Sequence, residues 1–548
     1  MIMFKKFLAS IFILFAPCIL IAQRIPRLTI VLVVDQLSHN KLMELKPYLT
    51  GGLHHVVEHG VVYHDAHQPH AGTATATGHT TLASGTTASI HGITGNEWFN
   101  QEGKSIDCDY DTKEHAAVIA PHGTYDYGKS SRNVMVDTIT DQFIAAAQPY
   151  ANHCSYSLSL KSRSAICTAG KLGKALWFDN QSGRITSSKA YFDALPQWVN
   201  RFNEAKKIDT LTTITWERAF IKRDYPYRMF SQEPAKIPLF GKTIAIDRTH
   251  KEPYEHFVQT PQANRLLFEL ARICIDEHTS KNNNDKMLLW LCPSSLDAIG
   301  HEFGPHSVQA TDMIYHIDLE LFRLYNHVTK HIRKKDVLIV VSADHGIGSC
   351  PEDMQKLGYT NAHRIIADDL VAQLNDTVYK AFGIKNILLG IKVPSLFFNT
   401  HKLHSLSPEK QELILETCKK QLLAQPGISN VWTSQELRAL SAPESSIIQY
   451  FKNQLYDTRI GQLLIQTDPY CLLAKKGQQY SHRSPYNYDT HIPLIFYQSG
   501  SHERAQWYNR VTSLQCAPTL AYLLGIQKPA AALKPLLPGI APTNDPQF

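Results

Sequence analysis

Three apolar runs, each ending in or just before a carboxylate, constrain the fold of this chain most. Arg27 to Asp35 reads RLTIVLVVD, Lys286 to Ser294 reads KMLLWLCPS with Asp297 shortly after, and Asp336 to Asp344 reads DVLIVVSAD. Unbroken apolar runs rich in β-branched residues suit strands buried on both faces of a parallel sheet; a half-exposed strand would alternate apolar and polar residues. Helical periodicity lies between the runs, at Pro261 to Glu277 and Val308 to Arg333. The spacing predicts an α/β fold with a mainly parallel central sheet flanked by helices. A strand at His491 to Tyr497 and a helix at Ser513 to Leu524 complete the pattern.

Two long stretches interrupt it. Residues 98–257 hold short strands, aromatic-rich loops and a helix near Gln197 to Lys206. Residues 360–480 hold the strand-like ILLGIKVPSLFFN from Ile387 and a helix at Pro408 to Ala424. Both are expected to be insertions capping the C-terminal edge of the sheet, where open α/β sheets place their ligands. Asn282 to Asn284 is the one low-complexity patch and reads as a loop tip.

The N-terminus reads as an export signal. Lys5 and Lys6 precede an almost unbroken apolar run from Phe7 to Ile21, and Ala22 can precede the cut. Residues 1–22 are therefore expected to be a signal peptide, residues 23–548 the mature catalytic domain, and the compartment periplasmic or extracellular. No stable membrane association is expected after cleavage. Cys18 lies in the leader, so nine of the ten cysteines would remain, scattered and without a CxxC pair. Such a distribution is neither a disulfide scaffold nor a cysteine zinc site. A net charge of +6 over 548 residues gives no nucleic-acid footprint.

Chemistry-bearing residues gather where the buried strands end. Asp35 ends the first, Asp297 follows the second in SSLDAIGHEFGP, and Asp344 and His345 end the third in SADHG. Asp297 and His301 stand at i, i+4, which places both on one face of a helical turn. His491 opens the later strand in YDTHIPLIFY. Singly, an aspartate at a strand end is more often a cap or turn former than a ligand. Six carboxylate and imidazole groups at successive strand ends are too many for one tetrahedral zinc and fit two first-row ions. Two such ions about 3.5–4 Å apart can grip the attacking and leaving oxygens of an in-line displacement.

The segment AGTATATGHTTLASGT, Ala71 to Thr86, places small residues and hydroxyls before a helix. A helix N-terminus favours an anion, and a hydroxyl there can attack phosphorus once its pKa is lowered. Pattern alone leaves Thr73, Thr75, Thr77, Thr80 and Thr81 equivalent, and a polar capping loop without a nucleophile stays open.

Six blocks in this order carry a resemblance: VVDQL, TATGHTTLASGTTASIHGITGNEW, the KSR of Lys161 to Arg163, DAIGHEFGP, SADHG and YNYDTHIPLIFY. From about Pro26 to Ile526 the chain resembles the alkaline phosphatase superfamily, in its phosphodiesterase/nucleotide pyrophosphatase branch. It is most similar there to secreted bacterial phosphate-irrepressible alkaline phosphatases with a threonine nucleophile. The resemblance implies two zinc ions. Asp297, His301 and His491 would hold one; Asp35, Asp344, His345 and the Thr75 oxygen would hold the other. It selects Thr75 as nucleophile, makes Asn96 a donor to a phosphate oxygen, and makes Lys161 and Arg163 phosphate contacts that go with monoesterase activity.

Lys161 and Arg163 alternate in SYSLSLKSRSAI and on a strand would share a face. Extra cations favour a monoester dianion over a diester monoanion, and arginine can do so bidentately. The chain departs from the family at Thr77, where a proline is usual, and at Ser162, where an acidic residue is common. The expectation is a monomeric phosphate-monoester hydrolase with a phosphothreonine intermediate. A phosphodiesterase or pyrophosphatase using the same metals is the alternative. A sulfatase is disfavoured by the absence of a CxPxR motif, and a non-catalytic binding protein by the full ligand set.

Overall fold

The computed structural model of the chain describes residues 24–119, 125–147, 153–220, 243–279 and 285–540. The expected signal peptide and the Asn282–Asn284 loop tip lie outside the described residues.

Nine strands form the central sheet. They are β1 (Leu28–Val33), β2 (Val61–Tyr63), β3 (His153–Ser159), β4 (Lys174–Asp179), β5 (Arg184–Thr186), β6 (Lys286–Cys292), β7 (Val337–Ser342), β8 (Leu494–Gln498) and β9 (Ala505–Trp507). Their order is β5-β4-β3-β6-β1-β7-β8-β2-β9. From β4 to β7 every pairing is parallel, whereas β8 pairs antiparallel with both β7 and β2. All three apolar runs became adjacent central strands, buried along their length save Lys286. Each is covered on both faces, which is why none of them alternates.

Two helical layers flank the sheet. One contains α1 (Thr75–Ser84), α2 (Ser162–Ala169) and α6 (Cys516–Leu524). The other contains α3 (Pro261–His278), α4 (Ser295–Phe303) and α5 (Val308–Val328). Among the described residues no helix is long and apolar enough to cross a membrane. The nine cysteines outside the leader are all free thiols, eight of them buried.

The segment 360–480 builds a unit of its own. Strands Leu388–Lys392, Ser395–Phe398, Leu463–Thr467 and Ile428–Thr433 form a sheet backed by helices Ala367–Phe382 and Pro408–Leu423. Its core, including Leu374, Phe398, Ile414 and Leu463, is separate from the main one. The reading of 98–257 as a cap needs correction, because β3, β4 and β5 from within it join the central sheet. β3 reads HCSYSLS, and its alternating serines look solvent-facing in sequence. They are buried instead: the Ser157 hydroxyl pairs with Thr168 Oγ1 at 2.6 Å and Ser159 Oγ donates to the Cys292 carbonyl at 3.0 Å.

Candidate active site

The parallel strands β3, β6, β1 and β7 stand side by side, so their C-terminal ends share one edge. Just past those ends come Lys161, Asp297, Asp35 and Asp344, in the order of the strands themselves. Sheet topology thus lines up residues drawn from distant parts of the sequence, at the edge where α/β sheets bind ligands.

Three carboxylates and one ammonium meet there. Lys161 Nζ lies 2.7 Å from Asp35 Oδ2 and also contacts Asp297 Oδ2. Burial pushes the Asp35 carboxyl up, and the neighbouring Asp297 and Asp344 carboxylates add to that. Burial works the same way on Asp297, but Lys161, then His301 and His482, outweigh it and hold this carboxyl well below the usual range. Asp344 is also held low, against its burial, by His345 and His79. Lys161 thus faces two of the three buried acids, and the third, Asp344, lies 3.3 Å from His79 Nδ1.

The imidazoles are oriented by backbone carbonyls. His301 Nδ1 is 3.1 Å from the Tyr480 carbonyl, His345 Nδ1 3.0 Å from the Gly346 carbonyl and His482 Nδ1 2.6 Å from the Thr73 carbonyl. Each contact fixes the proton on Nδ1 and leaves the Nε2 lone pair for a ligand, the arrangement typical of metal-bound histidine. Those Nε2 atoms lie 3.3 Å (His301) and 3.7 Å (His482) from Asp297 Oδ1, and 3.6 Å (His345) from Asp35 Oδ1. Asp35 Oδ1, Asp344 Oδ2 and His345 Nε2 are buried without a hydrogen-bond partner. Buried polar atoms left unpaired need an explanation, and a bound cation supplies it.

The donors divide into two sets. Asp35, Asp344 and His345 converge, and Asp297 converges with His482 and His345, so His345 stands between the two sets; His301 reaches Asp297 through α4. The His345 and His482 rings stack with centres 3.6 Å apart and planes 16° apart. Lone pairs of stacked rings lie in parallel planes and do not meet, so these two histidines fit neighbouring ions, one each. The oxygen and nitrogen donor set fits a binuclear site for zinc-like ions.

His491 does not belong to this site, and His482 takes the place expected of it. His491 Nε2 donates to the His64 carbonyl at 2.7 Å, and its ring stacks between His39 and His67 at 4.7 and 4.8 Å. Asp65, His67 and His491 lie close together, but the face-to-face stack keeps the two ring lone pairs from converging. Burial pushes His39 and His67 down to about 3 and about 4, so these two rings are neutral.

The threonines separate by their partners. Thr77 Oγ1 donates to the Ile93 carbonyl at 3.0 Å, Thr80 Oγ1 to Ala76 at 2.7 Å and Thr81 Oγ1 to Thr77 at 2.8 Å. Thr73 Oγ1 accepts from the Arg483 N–H at 3.1 Å. Thr75, at the first position of α1 and 1% exposed, is the one of the five whose hydroxyl has no hydrogen bond among the described residues. His79, which the sequence reading did not single out, connects this helix to the acids. Its Nδ1 is 2.8 Å from the Thr75 carbonyl and 3.3 Å from Asp344 Oδ2.

Asn96 accepts from the Ala76 N–H at 2.9 Å through Oδ1, which leaves its NH2 without a partner among the described residues. Lys161 and Arg163 do not lie on a strand as alternation predicted. β3 ends at Ser159, whose hydroxyl accepts the Lys161 N–H at 3.0 Å; Lys161 then caps α2 and Arg163 enters its first turn. The Arg163 guanidinium makes no hydrogen bond or ion pair among the described residues, and its Nε is buried. Arg483, next to His482 and also missed in the sequence, likewise has a buried, unpartnered Nε.

Comparison with known proteins places the chain in a family. The family model described as type I phosphodiesterase / nucleotide pyrophosphatase matches residues 29–483. Alkaline phosphatase PafA of Elizabethkingia meningoseptica is 28% identical over 540 residues, spanning 93% of this chain and 94% of that protein. A protein of Myroides odoratus named calcium-transporting ATPase is 27% identical, spanning 92% of each. The crystal structure of wild-type PafA superposes with a TM-score of 0.78 at 26% identity, covering 94% of this chain and 98% of that one. The chain is a hydrolase of the alkaline phosphatase superfamily and belongs to its type I phosphodiesterase / nucleotide pyrophosphatase family.

Proposed function

We propose that the chain hydrolyses phosphate monoesters through a phosphothreonine intermediate, with Thr75 as nucleophile at a two-zinc site. The observation that carries the nucleophile is the unpartnered Thr75 hydroxyl on a helix held against Asp344. Asp35, Asp344 and His345, with Thr75 beside them, would hold one ion, and Asp297, His301 and His482 the other. Bound there, the ions supply Lewis acidity that lowers the pKa of a hydroxyl or water and offsets charge on the leaving oxygen.

The chain's own groups do the rest. Thr75 Oγ1 forms a bond to phosphorus as the bond to the leaving oxygen breaks, and the proton it gives up to water is matched by one that the leaving oxygen takes from water to depart as an alcohol. Water then attacks the phosphothreonine from the opposite side, releasing phosphate and restoring the hydroxyl. Asn96 donates to one equatorial oxygen, and Lys161 and Arg163 face the charge the loose transition state spreads over the others.

The unpaired guanidinium of Arg163 and the ammonium of Lys161 support the monoester reading, since a dianion gains more from both than a diester does. Alkaline phosphatase PafA, similar along nearly the whole chain, supports it too. Residues 1–22 fit export to the periplasm or medium, and the reading includes a monomer in that compartment.

The test is one comparison at alkaline pH: an aryl phosphate monoester against its methyl diester, with and without chelator. Faster diester turnover overturns the monoester reading in favour of a phosphodiesterase, and activity that survives metal stripping overturns the metal mechanism. Lys161→Ala and Arg163→Ala should each cost the monoester at least about tenfold more than the diester.

A further inference from the structure

Gln36 follows Asp35 directly and is 3% exposed. Its backbone has φ 73°, a left-handed conformation that residues other than glycine and asparagine rarely adopt. A position so shaped is ordinarily filled by glycine. The side chain explains the exception. Gln36 Nε2 donates to Asp297 Oδ1 at 2.6 Å, while Gln36 N donates to Asp344 Oδ1 at 3.0 Å. One residue thus holds an oxygen from a carboxylate in each of the two donor sets and ties both to the backbone beside Asp35.

In Asp344 the bonded oxygen is the one turned away from the centre, whereas in Asp297 it is the oxygen that His301 and His482 approach. Asp344 Oδ1 also accepts the His345 N–H at 3.0 Å, leaving Oδ2 without a hydrogen-bond partner. With Asp297 Oδ1 held by Gln36, Oδ2 is the oxygen that faces Lys161. The fold makes room for this contact. A Cβ on Gly300, one turn along α4 from Asp297, would stand 1.6 Å from Gln36 Oε1.

We infer that Gln36 is a positioning residue that sets the spacing and facing oxygens of the two carboxylates, and through them the affinity for both ions. This rests on the two-metal reading above. Its strained backbone is kept because the amide must reach Asp297 from a left-handed residue. A hydrogen bond that orients a ligating group typically accounts for about 10–100-fold in metal affinity.

The test titrates metal-free parent, Gln36→Gly and Gly300→Ala proteins with Zn2+ against a chromophoric chelator, and records the melting of each metal-free form. Gln36→Gly should bind Zn2+ about 10–100-fold more weakly, while its metal-free form melts no lower than the parent because the left-handed strain is gone. Gly300→Ala, which leaves Gln36 in place but displaces its amide, should show the same loss and provides the measurement if Gln36→Gly does not fold. Parent-like Zn2+ affinity in either folded variant overturns the role of Gln36 while leaving the two-metal reading standing. A parent that takes up no Zn2+ overturns both.

Discussion

Gly78 and Asp344 meet through their backbones: a Cβ on Gly78 would lie 2.3 Å from the Asp344 carbonyl oxygen. The contact seats the first turn of α1, and with it Thr75, against the end of β7. Gly78→Ala should therefore be harmful although alanine is the better helix former by about 1 kcal/mol. Overpacking against rigid backbone costs about 1–3 kcal/mol. A displacement of the nucleophile near 1 Å costs about 10²-fold in rate. The expected result is a lower melting temperature and a kcat/KM reduced about 100-fold, measured on the same preparation.

The five threonines give a second prediction. Thr75→Ala should lower turnover by at least about 10³-fold, and Thr75→Ser should keep part of it. Thr77→Val removes only the hydrogen bond to the Ile93 carbonyl. It should cost about 1 kcal/mol of stability and little activity. Rapid acid quench of the parent should trap phosphate on Thr75; trapping on Thr77 would reassign the nucleophile.

His482 and His491 differ in what removal should do. His482→Ala deletes a donor converging with Asp297. It should lower zinc content and weaken binding by more than the roughly 10–100-fold expected of an outer-shell change. His491→Ala removes a ring stacked between His39 and His67. It should leave both ions bound and act on stability alone. Elemental analysis of the two purified variants decides between them.

These histidines show where the sequence was readable and where it was not. β1, β6 and β7 were legible because burial on both faces leaves a continuous apolar run. Asp297 and His301 were legible because a four-residue spacing acquires meaning on a helix. His482 sits in the irregular stretch before Asn487, and its ring is oriented by the Thr73 carbonyl, 409 residues away in sequence. No local period encodes such a contact. His491, at the start of a strand, carried the pattern of the other ligands without their placement. Alternation through SYSLSLKSR suggested a strand past Ser159, but the Ser159 hydroxyl takes the Lys161 N–H and starts the turn into α2. β3 itself was hidden because its buried face is built from serines, of which Ser157 bonds Thr168 on α2 and Ser159 the Cys292 carbonyl of β6.

The loop carrying His482 should give stability a pH dependence through Asp489. Burial pushes this carboxyl up to about 8. Its Oδ2 accepts from the Ser484 N–H at 2.8 Å and the Ser484 hydroxyl at 2.7 Å, closing the turn after His482. The folded form holds its proton up to about pH 8, whereas an unfolded aspartate releases it near pH 4. Between those values the folded state binds more protons, so this group's contribution to stability is full below about pH 4, falls as pH rises and levels off above about pH 8. Asp489→Asn keeps an acceptor for Ser484 and removes the ionisation. The variant should lose that slope and melt above the parent at pH 9 in the metal-free form. Melting curves from pH 5 to pH 9 that fall equally steeply for both proteins would place the proton elsewhere.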